Sequence, residues 1–170
     1  MVTRLAHVVF WGRHFTRSEV RRFAEAERYQ RVLEIGSGRP VDGRCPYSSA
    51  DLFVGAEVTR TDVDPSFGHR VLDVTKDSLA GFDTILCASV LEHVYPWGDA
   101  VENMYRTMDD GARALIIVPA FYPLHDEPHD YWRFTEHALR RMFSKFRSVT
   151  VRHRGFIRRF PTIYAVEVVK

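Results

Sequence analysis

The chain of 170 residues has only two cysteines, Cys45 and Cys87. A disulfide-stapled scaffold needs a denser framework, so the core must come from apolar burial. Cys87 falls inside a predicted strand, where a free thiol behaves as a small apolar side chain. That usage fits a reducing compartment, and a cytoplasmic location is expected. No apolar run approaches the ~20 residues of a membrane span. The stretch from Met1 to Trp11 is briefly apolar but has no cleavage-like site, so no signal peptide is expected. Neither sign of charge is in surplus: 24 Lys and Arg against 22 Asp and Glu leave a formal charge of +2. A dedicated nucleic-acid binder carries a larger basic excess, so neither nucleic acid nor membrane is an expected partner. Repeats and low-complexity tracts are missing. The length fits a single domain over 1–170, opened by a cap segment and helix over 1–29.

What is present has an alternating order. A helix is predicted over 16–29, with Thr16 and Glu19 as a capping box and Phe15 and Val20 as its hydrophobic staple. Strands are predicted at 31–36, 57–62, 70–74, 83–89 and 114–118, then near 147–153 and 162–169. Val101, Met104, Tyr105 and Met108 recur at helical spacing, and Asp109-Asp110-Gly111 closes that helix. Another helix is predicted from Thr135 to about Lys145. Residues 39–50 hold two prolines and a glycine, so a loop is expected there, with a helical turn near Ala50–Phe53. Strands alternating with helices mean a doubly wound, mostly parallel α/β sheet, and the last two strands form an antiparallel pair at one edge.

Ligands of such sheets bind at the carboxyl ends of the strands. Residues 32–38, Val-Leu-Glu-Ile-Gly-Ser-Gly, are a buried strand ending at two glycines, where backbone N–H groups are open to a ligand. The second strand ends in Asp62, whose carboxylate can accept from two vicinal ribose hydroxyls. A dinucleotide fingerprint needs a third glycine at position 41 and a helix directly after the turn. Position 41 is Val and Arg39-Pro40 follows Gly38, which disfavours a nicotinamide-dependent oxidoreductase.

The run Glu34 to Gly38 resembles the first motif of class I S-adenosylmethionine (SAM) dependent methyltransferases. Phe82-Asp83 through Leu91-Glu92-His93 resembles a second segment of that family. The loop from Pro119 to Thr135, dense in histidine, carboxylate and aromatic residues, resembles the acceptor-side loop of small methyltransferases found among sugar and polysaccharide biosynthesis proteins. The resemblance covers roughly residues 31–146. It departs in the missing third glycine, the Pro-rich replacement of the first helix, a shortened segment after Asp73 and a small N-terminal cap. It implies a Rossmann-like, seven-stranded, mostly parallel sheet with an antiparallel final strand. SAM is the implied cofactor and S-adenosylhomocysteine the product. The implied contacts are Glu34, Gly36, Ser37 and Gly38 at the turn and Asp62 and Val63 at the ribose. Asp73 and Val74 would meet the adenine, and Ala88 and Ser89 would lie under the methionine and sulfonium.

On the acceptor side, His125 or His129 is a candidate general base, with His93 next. The alternative for all three is a structural one, fixing the loop. A metal at His125, Asp126, His129 and Asp130 is disfavoured because Pro128 prevents the helix that spacing needs, so no metal is expected. Tyr131, Trp132, Arg133 and Arg158 are candidate substrate contacts, the arginines suiting an anionic acceptor. The expected function is methyl transfer to a small molecule, such as a hydroxyl of a sugar or sugar-like metabolite. A SAM- or nucleotide-binding protein without turnover, acting through a partner, is the alternative. The small cap also admits a homodimer that completes the site.

Overall fold

A computed structural model describes residues 2–155 and 157–170, with side chains of the first helix described from Arg13 onward. In chain order the elements are α1 (Val2–Ala26), β1 (Arg31–Ile35), β2 (Glu57–Asp62), β3 (Arg70–Val71), β4 (Phe82–Ala88), α2 (Trp97–Thr107), β5 (Met108–Pro119), α3 (Glu136–Met142), β6 (Ser148–Gly155) and β7 (Pro161–Val169). The strands form one sheet in the order β3-β2-β1-β4-β5-β7-β6. All neighbours run parallel except β7, which is antiparallel to both β5 and β6. This is the expected Rossmann-like sheet. The strand order reverses between β1 and β4, and ligands of such sheets bind at the carboxyl ends of the strands at this point.

Strand alternation divides the core into two layers. Leu33, Ile35, Ile85, Cys87, Ile116 and Val118 point to the face covered by α2 and α3. Val32, Leu86, Leu115 and Ile117 point to the other face, where Phe15, Val20 and Phe23 of α1 and Phe53 of a 3-10 turn at Ala50–Leu52 cover them. Val20 and Phe23 are fully buried, which ties α1 to the sheet.

Four boundaries differ from expectation. Thr16 lies in the middle of α1, so the capping box does not form: an N-cap needs extended backbone, and here the backbone is helical on both sides. Phe15 and Val20 instead serve as core residues. The helix α2 ends at Thr107, and Met108 already pairs with Phe82. Gly111, at φ 80°, sits where the register shifts, and Lys170 pulls this stretch into the sheet by exchanging backbone bonds with Gly111 and Ala112. The third strand has two residues, because Asp73 turns the chain by accepting from the Thr75 N–H at 3.0 Å. Leu72 and Val74 flank it and enter the core. Finally, α3 is capped by the Thr135 hydroxyl, which accepts from the Ala138 N–H, and it stops at Met142.

Candidate active site

The turn after β1 is held from below. Glu34 is buried, and its carboxylate accepts from the Ser37 hydroxyl (2.9 Å), the Ser48 hydroxyl (2.6 Å) and the Ser49 N–H (2.7 Å). The acid inside the strand therefore ties the Pro-rich segment to the glycine turn. Ser48 and Ser49 do the work of the helix that segment cannot form. Neither serine stood out in the sequence, although two hydroxyl residues in a loop that must return to a buried acid are the available signal. Gly36 and Gly38 have φ of 72° and 74°, a region costly for residues with a Cβ. A Cβ on Gly36 would lie 2.4 Å from Val90 Cγ2, and one on Gly38 would lie 2.9 Å from Tyr47 Cβ. The close approach at Gly36 is thus made by the loop after β4.

Asp62 ends β2 beside this turn. Its Oδ2 accepts from the Gly38 N–H at 2.9 Å and its Oδ1 from the Asp64 N–H at 3.2 Å. A carboxylate has about four acceptor sites, so two remain for ribose hydroxyls. Val63, next in the chain, is 64% exposed and offers an apolar surface at the same strand end. Asp64 caps a 3-10 turn through the Ser66 N–H, a purely local role. His69 Nε2 lies 2.9 Å from the Gly38 carbonyl, another contact the sequence did not flag.

Asp73 is engaged by its own turn. The carboxylate accepts from the Thr75 N–H and hydroxyl and pairs with Lys76, which hold its pKa below the ordinary value, the Lys76 bond contributing most. Val74 is buried, and its carbonyl accepts from Asn103 of α2 at 3.0 Å. On the strand next to β1, Ala88 ends β4, and Ser89 has φ 55° with its N–H donated to the Ile117 carbonyl. The turn, Asp62, Val63 and the β4 end lie together at the carboxyl edge of neighbouring strands. The set fits an adenosine-bearing ligand: an acid with free lone pairs beside a glycine turn, and an apolar neighbour.

On the acceptor side, a 3-10 turn at Leu91–His93 meets the long loop after β5. The Glu92 carbonyl accepts from the N–H groups of Tyr131 (2.8 Å) and Trp132 (3.1 Å). Burial pushes the Glu92 carboxyl up to about 8, outweighing its own backbone N–H and Arg133. His93 Nδ1 lies 2.8 Å from the His129 carbonyl. The His93 and His125 rings meet edge-on at 4.8 Å. His129 Nδ1 lies 2.8 Å from the Tyr131 hydroxyl. The three candidate bases are therefore gathered in one cluster.

The candidate substrate contacts divide. Tyr131 is exposed and rests edge-on against Tyr95. Trp132 stacks between Tyr95 and Phe134 and donates its Nε1–H to the Val94 carbonyl, which is a loop-fixing arrangement. Arg133 is a correction. Its guanidinium grips Asp130 at 2.6 and 2.7 Å and also donates to the carbonyls of Tyr122, Pro123 and Trp132. Every N–H of the fork has a partner inside the loop, so none is left for an anionic acceptor. Arg158 is likewise paired with Glu136 at the start of α3.

A methyltransferase-domain family model matches residues 10–154, and the chain belongs to that family. It is a SAM-dependent methyltransferase, with SAM as its cofactor. No curated protein matches the chain. Among solved structures, a SAM-dependent methyltransferase from Archaeoglobus fulgidus is similar at 16% identity and TM-score 0.70, covering 93% of this chain and 94% of its own. The N-methyltransferase NodS from Bradyrhizobium japonicum WM9 is similar at 16% identity and TM-score 0.68, covering 93% and 96%. A Burkholderia thailandensis 1,6-didemethyltoxoflavin-N1-methyltransferase, solved with S-adenosylhomocysteine, is 23% identical with TM-score 0.62, covering 86% of this chain and 73% of its own. Among the described residues no helix is long and apolar enough to cross a membrane.

Proposed function

We propose that this enzyme methylates a hydroxyl of a small, uncharged, ring-bearing acceptor, such as a sugar-like metabolite, seated between the β4 end and the loop after β5. The carrying observation is the pairing of every Arg133 donor within the loop while Tyr131 and Tyr95 stay exposed beside three histidines. Rings without a matching cation suit an acceptor that stacks more than one that brings an anion. A small acceptor also agrees with the toxoflavin precursor named for the Burkholderia relative.

When bound, SAM supplies a methyl group already activated on a sulfonium. The protein's tasks are then alignment and proton removal. Glu34, Gly36, Ser37 and Gly38 shape the turn; Asp62 and Val63 would hold the ribose, and Asp73 and Val74 would border the adenine. Ala88 and Ser89, at the end of β4, would support the methionine and sulfonium end of the cofactor. One of His125, His129 and His93 accepts the acceptor's proton. Their Nδ1 contacts set each ring's orientation, a requirement for directed proton transfer.

Asp62→Ala should weaken SAM binding by about 1.5–3 kcal/mol, the range for hydrogen bonds to charged groups, measured by calorimetry. Asp62→Asn, which keeps one acceptor oxygen, should fall between. In an acceptor screen, His129→Ala should lower kcat about 10²–10⁴-fold with SAM affinity preserved. Unchanged SAM affinity in folded Asp62→Ala refutes the cofactor assignment. A preference for anionic acceptors refutes the acceptor assignment.

A further inference from the structure

We propose that Glu92, His93 and His125 form a binding site for a divalent transition-metal ion, zinc being the best match. One ligand atom from each residue lies within 4.8 Å of the others. Three further observations say that the cluster is built to receive a cation. Glu92 Oε2 is buried and has no hydrogen-bond partner among the described residues, a costly state for a polar atom unless a ligand meets it. The glutamate is 1% exposed, so bulk solvent does not reach it. Both imidazoles have Nδ1 engaged, which leaves Nε2 for a ligand. His93 Nδ1 faces the His129 carbonyl at 2.8 Å, and a carbonyl only accepts, so Nδ1 carries the proton and Nε2 keeps its lone pair. His125 Nδ1 faces the Pro123 carbonyl at 3.2 Å and Asp130 Oδ2 at 3.2 Å, with the same result.

Histidines held through the outer nitrogen by a carbonyl or carboxylate are the usual support of metal ligands. Asp130 is itself locked by Arg133, so the second layer is rigid. This gives the Arg133–Asp130 clamp a purpose that an acceptor-binding arginine would not serve. Two imidazoles and one carboxylate suit zinc and its first-row neighbours, whereas magnesium and calcium favour all-oxygen sets. Three protein ligands leave a coordination position open, as in catalytic and unlike closed structural sites. Asp126 Oδ2, 4.0 Å from His93 Nε2, stands at the mouth as a further oxygen. Zinc bonds of about 2.0–2.2 Å require the ligand atoms to draw closer on binding.

The sequence argued against a metal at four loop residues spaced for a helix. The cluster instead joins adjacent residues of one loop to a single histidine of another, a pairing that spacing along the chain does not show. Its chemical consequence rests on the methyl-transfer reading. An acceptor hydroxyl at the open position would become more acidic. The oxygen–carbon bond forms as the sulfur–carbon bond breaks, and the acceptor's proton passes to His129, the histidine outside the cluster.

The test uses tag-free full-length protein stripped with a chelator and titrated with zinc against a competing dye. One zinc per chain is expected, and cobalt should give visible absorption bands. Glu92→Gln and His125→Ala should each weaken zinc binding more than tenfold. Asp130→Asn should weaken it about 10–100-fold through His125. His137→Ala, on exposed α3, should leave it unchanged. Circular dichroism verifies that each variant is folded. Glu92→Gln keeps the shape of the side chain, so it remains informative if His125→Ala unfolds. The absence of one-to-one binding overturns the proposal, as does binding that Glu92→Gln leaves intact. SAM binding is measured on the same samples. Bound SAM without zinc defeats the metal site alone, and bound zinc without SAM defeats the methyl-transfer reading alone.

Discussion

Gly36 shows how a single position combines two constraints that look alike in sequence. Its φ of 72° belongs to the left-handed region, and Val90 Cγ2 occupies the space a Cβ would need. The glycine is therefore required by the turn and by the packing of the loop after β4, before any ligand arrives. Gly36→Ala should destabilise the fold by about 1–2 kcal/mol from backbone strain alone, with a further loss from the displaced valine. Adding Val90→Ala should recover the packing part and leave the backbone part, as read from urea unfolding of the two variants. Recovery to wild-type stability in the double variant would mean that the backbone carries no strain. The reading of Glu34 changes in a similar way. Its place inside a strand marked it in the sequence, but its three hydrogen bonds make it a positioning residue for the turn.

Among the elements, the loop from Ala120 to Phe134 is the least regular and the most tightly tied. Asp130 has a side chain 1% exposed, and Arg133 supplies its counter-charge. Removing the arginine leaves that carboxylate buried with only His125 beside it. Arg133→Ala should cost about 1.5–3 kcal/mol of stability by urea denaturation. Arg133→Lys should not restore it, because an ammonium lacks the fork that reaches Asp130 and three carbonyls together. Equal stability of the three proteins would show the clamp to be idle. The α3 start behaves differently. Glu136 is held below its ordinary value of 4.5, first by Arg158 and then by Arg140. A depressed carboxyl contributes stability above its unfolded value, and that contribution fades as pH falls through the folded one. The melting temperature of Glu136→Gln should therefore fall less than wild type between about pH 5 and 3. Parallel curves would show that these pairs do not contribute.

Across the whole molecule, the two thiols report on different layers. Cys87 lies in the core, fully buried between β1 and β5, and burial pushes its thiol far above the ordinary range. Cys45 lies in the partly exposed loop after β1. A thiol reagent should label one cysteine in the native protein and two in denaturant, counted by mass spectrometry. The second label should appear at the rate of global unfolding, because β4 is central to the sheet. Rapid double labelling without denaturant would mean that the centre of the sheet opens locally.

Much of this architecture was legible without coordinates. The alternation of apolar runs with helical stripes sets the layers, because burial on both faces of a strand and on one face of a helix imposes different periods. The glycine turn after β1 and the acid ending β2 were legible for a similar reason: both are local, readable from adjacent residues. Boundaries that depend on distant partners were not. Thr16 reads as a cap until the helix is seen to continue on its N-terminal side, and Asp109-Asp110-Gly111 reads as a stop until the C-terminus pairs with it. The roles of Arg133 and Glu92 were hidden for the same cause. A side chain's chemistry depends on which of its donors and acceptors are already taken, and Asp130, His93 and His125 reach their positions only when two loops close over the strand ends.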